Sequence, residues 1–432
     1  MPGGGLRREW WGRHGSAVTL FASILSIAAI ARVAWFVLFS EADQLRGDEV
    51  YYVKQAQALV DAGTYPGALR PPLQSALIAS VFLVHGTSVA AARFVGIFVS
   101  LVTVALVVEV ARARLGTRAA VAAGVLCALH PSLLHYSHLL WSENLYAMLL
   151  MATVCCLERF DRLRVHGWLV GAGIALGLAA LTRETALYLV PVAMAWLWKA
   201  DGLRARPPLL LLLGAALVVA PWMLRNAALY GGPPTISTNR WRMIAQGNVA
   251  EEARRQLRAR AGEDFVYRRR RDTVVREQIA RTIALRAIVE RQPWWLFEKI
   301  HQSTRDLLLT KLQLARYAKR RWLPADRLGL ARIVVRVDQL MLALLVCAGI
   351  AGAWLAGAGR LQGLVVAILL THWLIFVVAF AHNRFLVPLL PLLALLAGPM
   401  LTRWPPWGRA ASWRLAGAAG SLLFLAIVLS AG

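Results

Sequence analysis

Between Arg46 and Leu73 the chain reads RGDEVYYVKQAQALVDAGTYPGALRPPL. Two adjacent carboxylates, Asp48 and Glu49, stand beside a tyrosine pair, Tyr51 and Tyr52, and the stretch closes on Arg70-Pro71-Pro72 before Leu73. A positioned carboxylate can take the proton of an attacking hydroxyl. A guanidinium matches phosphate oxygens with a rigid two-pronged fork. A site that binds a phosphate and deprotonates a hydroxyl needs both. Each piece also has a plainer reading. Acidic residues favour helix N-termini, so Asp48-Glu49 also reads as the start of a surface helix, and Arg70-Pro-Pro as a rigid turn.

Further polar residues are scattered along the chain, each at the edge of an apolar run. Arg93 opens the second run. The connection HPSLLHYSHLLWSEN carries His130, His135, Tyr136, His138 and Glu143. Arg183 and Glu184 sit in Leu181-Thr182-Arg183-Glu184-Thr185 and also read as a structural ion pair. Arg225-Asn226 follow Pro221-Trp222-Met223-Leu224, and Asn239-Arg240 and His382-Asn383-Arg384 come later. His135 and His138 invite a zinc reading, but they lack a clear third ligand, so polar packing is the better expectation. Arg32 lies deep in the first apolar run, where an arginine must face a polar cavity or snorkel to the interface.

These residues need elements that gather them. Of the 432 residues, 58% are apolar, and the mean hydropathy is +0.55. Runs of about 20 apolar residues can cross a bilayer core of roughly 30 Å. Such runs are expected near 17–39, 90–110, 119–134, 143–158, 168–181, 185–198, 208–227, 333–357, 361–379, 385–402 and 415–431. The fold class expected is an all-α polytopic membrane protein with ten or eleven spans and amphipathic helices at the membrane surface. Asp48 to Val60, which has no helix breaker before Gly63 and Pro66, is one such surface helix. The first run is too long for a signal peptide and is expected to be retained.

Three parts are expected: 1–227 as an N-terminal transmembrane module with a first external loop at 40–89, 228–332 as a basic loop, and 333–432 as the C-terminal spans. The middle part is arginine-rich, with four arginines at 268–271, but it is also patterned. Val275, Ile279 and Ile283 recur at four-residue spacing, and Pro293-Trp294-Trp295 opens a second amphipathic stretch. Helices lying on the membrane fit that pattern better than a disordered tail.

The net charge of +25 points to topology and anionic lipids, because the basic residues flank apolar runs and no base-reading module is present. No nucleic-acid partner is expected. All four cysteines fall within apolar runs and suggest no disulfide framework. One set of short connections holds sixteen lysines and arginines and the opposite set five. The positive-inside rule then puts the N-terminus in the cytoplasm of a plasma-membrane protein and the Asp48 stretch outside. The basic 228–332 segment goes outside too, since long loops translocate largely regardless of charge.

With that topology the polar span ends share one outer face. Several guanidiniums beside a few carboxylates suit a phosphate-bearing lipid and a hydroxyl that must lose a proton. Here the sequence resembles the GT-C superfamily of polyprenyl-phosphate-sugar glycosyltransferases, in the branch of protein O-mannosyltransferases and the lipid A aminoarabinose transferase. The resemblance runs through Asp48-Glu49-Val50-Tyr51-Tyr52, Arg70-Pro71-Pro72-Leu73, Ala92-Arg93, Ser142-Glu143-Asn144 and Leu181-Thr182-Arg183-Glu184. It continues in Pro221 to Asn226, Thr235 to Asn239, Gly247-Asn248 and Asn383-Arg384-Phe385-Leu386-Val387-Pro388. Relatives often carry lysine where Arg70 stands, a change that leaves phosphate binding intact.

The resemblance implies inverting transfer of a sugar from a polyprenyl-phosphate donor, with Asp48 as the base that activates the acceptor. Arg70 would bind the donor phosphate with help from Arg93 or Arg384. Glu49 and Glu143 would shape the pocket, with Tyr52, His138, Arg183 and Asn239 also on the substrate. Membrane lipids are expected partners, and the acceptor is a protein, an envelope glycan or lipid, or a small molecule. The carboxylates admit a divalent cation, and the arginines make one dispensable; no metal ligands are assigned. A lipid-linked glycan ligase shares the arginine-rich face but does not explain Asp48-Glu49 directly after the first span. A transporter is less favoured, since no paired repeat with broken helices is visible.

Overall fold

A computed structural model describes residues 4–40, 43–200, 204–232, 235–249, 271–309, 313–320, 323, 325–355, 359–402 and 412–430. Every regular element among them is helical. The first half comprises α1 (Gly4–Phe39), α2 (Asp48–Ala62), α3 (Leu73–His85), α4 (Val89–Leu115), α5 (Thr117–Leu129), α6 (Pro131–Ser137), α7 (Ser142–Leu163), α8 (Gly167–Thr182), α9 (Leu189–Ala200) and α10 (Arg206–Tyr230). The second comprises α11 (Arg240–Asn248), α12 (Arg271–Val289), α13 (Trp295–Leu309), α14 (Gln313–Lys319), α15 (Leu328–Leu355), α16 (Arg360–Val378), α17 (Leu390–Thr402) and α18 (Ser412–Ser430).

Among the described residues seven helical segments are long and apolar enough to cross a bilayer: Val18–Phe39, α4, α10, α15, α16, Asn383–Thr402 and α18. The pair α5 and α6, bent by 57°, counts as an eighth if taken as one broken span. The other three apolar runs are helical but differ from a free-standing span. α8 and α9 have 16 and 12 residues, short of the roughly 20 that a bilayer core needs. α7 has 22 but carries Glu143, Glu158, Asp161 and Arg162 towards its ends, and most of it is buried.

Close packing of this polytopic membrane fold relies on small residues. A Cβ on Gly173 of α8 would stand 2.1 Å from the Leu211 carbonyl oxygen of α10, so these two backbones touch as helices in membranes do where side chains are small. Arg32 does not snorkel, and the void it borders holds only about 10 Å³. The side chain is buried and donates to Ser100 Oγ at 2.8 Å and to the Ala28, Ala128 and Cys127 carbonyls at 3.0 to 3.3 Å. One guanidinium thereby ties α1 to α4 and α5.

The arginine-rich middle of the chain packs on the bundle. Glu277 of α12 accepts the Trp241 backbone N–H of α11 at 2.9 Å. From α13, Lys299 donates to the Gly247 carbonyl at 2.9 Å and Trp295 Nε1 to Asn248 Oδ1 at 2.7 Å. Val275, Ile279, Val289, Trp294 and Phe297 face outward, the pattern of helices lying in a membrane interface. The arginines at 268–270 fall outside the described residues.

The long helices give the bundle two different ends. At one, Arg114 bonds Glu158 at 2.9 Å and Asp161 at 2.5 Å, and Arg360 reaches Asp161 at 2.8 Å. α7 runs from there to Glu143 at the other end, where the polar residues singled out above converge.

Candidate active site

Gly47 precedes α2 with φ +59, a region that favours glycine, and a Cβ there would meet the Trp141 ring at 3.0 Å. The chain therefore turns sharply into Asp48 and Glu49, which form the first turn of α2. Consecutive helical residues point about 100° apart at 3.6 residues per turn, so the two carboxylates meet different partners.

Glu49 points into the protein. Arg93 grips it with two bonds, 2.6 and 3.1 Å, and the backbone N–H groups of Leu140 and Arg46 add bonds of 3.0 and 2.9 Å. Arg93 also donates to the carbonyls of His138 at 3.0 Å and Gln44 at 2.8 Å. Both side chains are almost fully buried. Leaving one member of a buried pair uncompensated costs about 3–5 kcal/mol. Glu49→Ala and Arg93→Leu should therefore lower the melting temperature in detergent by several degrees or prevent folding. Wild-type melting in both variants would show that the pair does not anchor α2.

Asp48 points the other way and is held on both oxygens. Arg70 Nη2 bonds Oδ1 at 2.8 Å and Arg384 Nη1 bonds Oδ2 at 2.8 Å. Burial pushes this carboxyl up, but the hydrogen bonds and charges of the two arginines outweigh it and hold the group well below the usual carboxylate range. Arg384 Nε lies 3.8 Å from Glu143 Oε1, and Arg183 bonds the same oxygen at 2.7 Å. The result is an alternating chain, Arg70–Asp48–Arg384–Glu143–Arg183. Aromatic faces fix its guanidiniums: Arg70 lies over Tyr51 and Tyr52, Arg384 over Trp141 and Phe385, and Arg183 over Phe385, all at 4.7 to 5.3 Å. The expected Arg183–Glu184 pair is not made; Arg183 turns to Glu143 instead.

The supporting loops are tied by the residues at the end of the seventh expected span. Arg225 donates to the Tyr65 carbonyl at 2.5 Å, and Tyr65 Oη to that of Arg70 at 3.2 Å. Asn226 and Trp222 hold the carbonyls of Thr235 and Ile236 at 2.8 to 3.1 Å. The Thr238 N–H then bonds the Ala68 carbonyl at 2.8 Å. Arg225 and Asn226 thus act on backbone. His382, beside Arg384 in sequence, has Arg316 Nη2 at 2.5 Å from its Nε2, and burial and the arginines push its pKa down to about 3.

The chain of charges borders a cavity of about 510 Å³. Asp48, Tyr52, Arg70, Glu143, Arg183, Asn239 and Arg384 line it. Three expected substrate contacts do not. Glu49 and Arg93 are consumed by each other. His138 is buried 5.8 Å from the Phe36 ring and 5.6 Å from His135, and burial first, then His135 and Arg93, drives its pKa well below the ordinary value. Cavity residues outside the expected set include Ser142, Thr182, Glu184, Ser237, Arg240 and Gln246. Glu184 and Arg240 stand out in the sequence as charges at the edges of apolar runs, whereas Ser142, Thr182, Ser237 and Gln246 are neutral and carry no such mark.

The remaining wall is apolar, with Leu374, Ile375, Phe376 and Val378 of α16, Phe380, and Tyr188. Leu374, Tyr188 and Val378 are also 56%, 44% and 42% exposed, so this wall is continuous with the flank of the bundle. Among the described residues no three His, Cys, Asp or Glu side chains converge as a metal-ligand group. Asp48 and Glu143 already carry arginines, and this donor set does not fit a divalent cation. Instead the arrangement offers cationic forks to an anion, a carboxylate beside them, and an apolar path to lipid.

A family model described as dolichyl-phosphate-mannose-protein mannosyltransferase matches residues 69–224, less than half of the chain. No curated protein matches the sequence. Among solved structures, ArnT from Cupriavidus metallidurans bound to undecaprenyl phosphate superposes with a TM-score of 0.54 at 16% identity, over 95% of this chain and 64% of that one. The archaeal oligosaccharyltransferase AglB from Archaeoglobus fulgidus, in complex with an inhibitory peptide and a dolichol-phosphate, gives 0.57 at 16% identity, over 98% and 55%. The present chain thus spans less than two thirds of either.

Proposed function

Starting from a GT-C fold, we propose that this multi-pass membrane protein is an inverting glycosyltransferase. It moves a monosaccharide from a polyprenyl-phosphate donor to an acceptor hydroxyl. The observation that carries this reading is the Arg70–Asp48–Arg384–Glu143–Arg183 chain, set in a cavity whose opposite wall runs out to the lipid-facing flank. The lipids bound in the two similar structures, undecaprenyl phosphate and a dolichol-phosphate, support the same lipid class.

In this mechanism the donor phosphate takes up the forks of Arg70 and Arg384, and the prenyl chain leaves along Leu374, Val378 and Tyr188. Competition for the arginines frees one Asp48 oxygen. The acceptor oxygen attacks the anomeric carbon, its proton passes to Asp48, and the bond from that carbon to the phosphate oxygen breaks. The arginines stabilise the negative charge that develops on the leaving phosphate, in a site where such preorganised groups matter most. Glu143, Tyr52, Arg183 and Asn239 shape the sugar and acceptor pocket, whereas Glu49, Arg93 and His138 act at one remove by fixing α2. The Lys/Arg bias of the short connections supports an active site facing outside the plasma membrane.

Membranes holding the wild-type chain, supplied with a panel of radiolabelled polyprenyl-phosphate monosaccharides, should yield a labelled product absent from membranes lacking it. Binding of donors without product would point to a missing acceptor. Failure of any polyprenyl phosphate to bind would overturn the reading.

A further inference from the structure

Three carboxylates line the cavity, and their partners differ. Both Asp48 oxygens hold guanidiniums, and Glu143 holds Arg183 at 2.7 Å with Arg384 nearby. Among the described residues Glu184 makes no ion pair, although the charge of Arg240 helps to keep it ionised. It opens the helical turn Glu184–Tyr188 that follows α8. Its Oε2 accepts one hydrogen bond, from the buried Ser237 hydroxyl at 2.8 Å, and its Oε1 takes none from the described residues. Burying a carboxylate on a single neutral partner is costly. Burial raises its pKa, and the Ser237 bond offsets only part of that.

The cavity lining there holds the neutral hydrogen-bonding groups Thr182, Thr185, Ser237, Asn239 and Gln246, together with Arg240, whose charge acts on Glu184, and Arg242. Such neutral groups suit hydroxyls, and a carboxylate oxygen accepts from them with the added strength of its charge. The forks of the arginine chain suit a phosphate, and Glu184 adds a hydroxyl-accepting oxygen to the same cavity.

We propose that Glu184, oriented by Ser237, is a specificity-determining residue whose free Oε1 accepts hydrogen bonds from sugar hydroxyls in the cavity. This assignment rests on the sugar-transfer reading. The hydroxyls belong either to the donor's sugar or to a glycan acceptor, and the chemistry is the same.

The test compares wild type with Glu184→Gln, which keeps shape and the Ser237 bond, and with Ser237→Ala. A site built to bond a hydroxyl discriminates strongly against its absence. Glu184→Gln should raise one KM by about ten- to a hundredfold with kcat changed far less, the range of a lost charge-assisted bond. A rise in the donor KM assigns the donor sugar, and a rise in the acceptor KM assigns the acceptor. Deoxy analogues lacking the bonded hydroxyl should be handled equally by wild type and variant. Ser237→Ala should show a smaller shift of the same KM.

Unchanged KM values for both substrates in Glu184→Gln would overturn the proposal and leave the transfer reading standing. If wild type binds donors but transfers from none, Glu184 is judged by binding alone. Polyprenyl-phosphate monosaccharide should outbind bare polyprenyl phosphate in wild type and lose that advantage in Glu184→Gln. Equal affinity for the two lipids in wild type would sink the proposal.

Discussion

Asp48→Asn should reduce transfer by about 10²- to 10⁴-fold, the usual contribution of a positioned general base. The donor should still bind. Asparagine keeps the shape of the side chain and can still accept from one arginine, while removing the negative charge leaves Arg70 and Arg384 better disposed to a phosphate. Equal or tighter binding of polyprenyl phosphate with transfer abolished is therefore the expected pair of results. Near-normal transfer would remove Asp48 from the chemistry.

The pH dependence follows from the same clamp. The folded carboxyl is held below its unfolded value, near 3.9, so it contributes stability above that value. The contribution is lost only as pH falls through the depressed folded value. Between about pH 5 and 8 Asp48 stays ionised in the resting protein. An activity loss on mild acidification must then arise at another group, and Glu184, whose pKa is raised, has the right direction. Glu184→Gln should flatten an acid limb that Ser142→Ala leaves in place.

Much of this site was legible in the sequence because charge is conspicuous among apolar residues. Asp48, Arg70, Glu143, Arg183 and Arg384 stand out as polar residues at the ends of apolar runs, and the structure brings all five together. What the sequence could not show was direction. Asp48 and Glu49 are adjacent and chemically alike, yet the turn at Gly47 sends one to the cavity and the other to Arg93. Arg183-Glu184 reads as a pair because the residues are neighbours, but the break after α8 points them at different partners. Arg32 reads as a snorkelling or cavity residue because its acceptors, the carbonyls at the end of α5, exist only once α5 packs on α1. Which helices cross the bilayer is harder to read: α8 and α9 are apolar but have 16 and 12 residues, and α7 carries charges towards its ends, so apolar composition alone does not fix a span.

The two arginines on Asp48 should not respond alike to substitution. Each charge-assisted bond to a phosphate is worth about 1.5–3 kcal/mol, so Arg70→Gln and Arg384→Gln should each weaken polyprenyl-phosphate binding by roughly ten- to a hundredfold. Loss of charge stabilisation at the leaving phosphate adds a drop in kcat of about 10²–10³. Lysine separates them. Arg70 bonds a single Asp48 oxygen, which a lysine can also do, so the loss there is confined to the planar contacts with Tyr51 and Tyr52. Arg384 bonds Asp48 through Nη1, approaches Glu143 through Nε, and lies over Trp141 and Phe385. A lysine has one nitrogen and no planar face, so it cannot reach both carboxylates or stack on the rings. Arg70→Lys should thus retain most transfer, while Arg384→Lys should fall close to Arg384→Gln. Isothermal binding of polyprenyl phosphate with steady-state transfer reads both, and equal tolerance of lysine at the two positions would mean that Arg384 acts only as a charge.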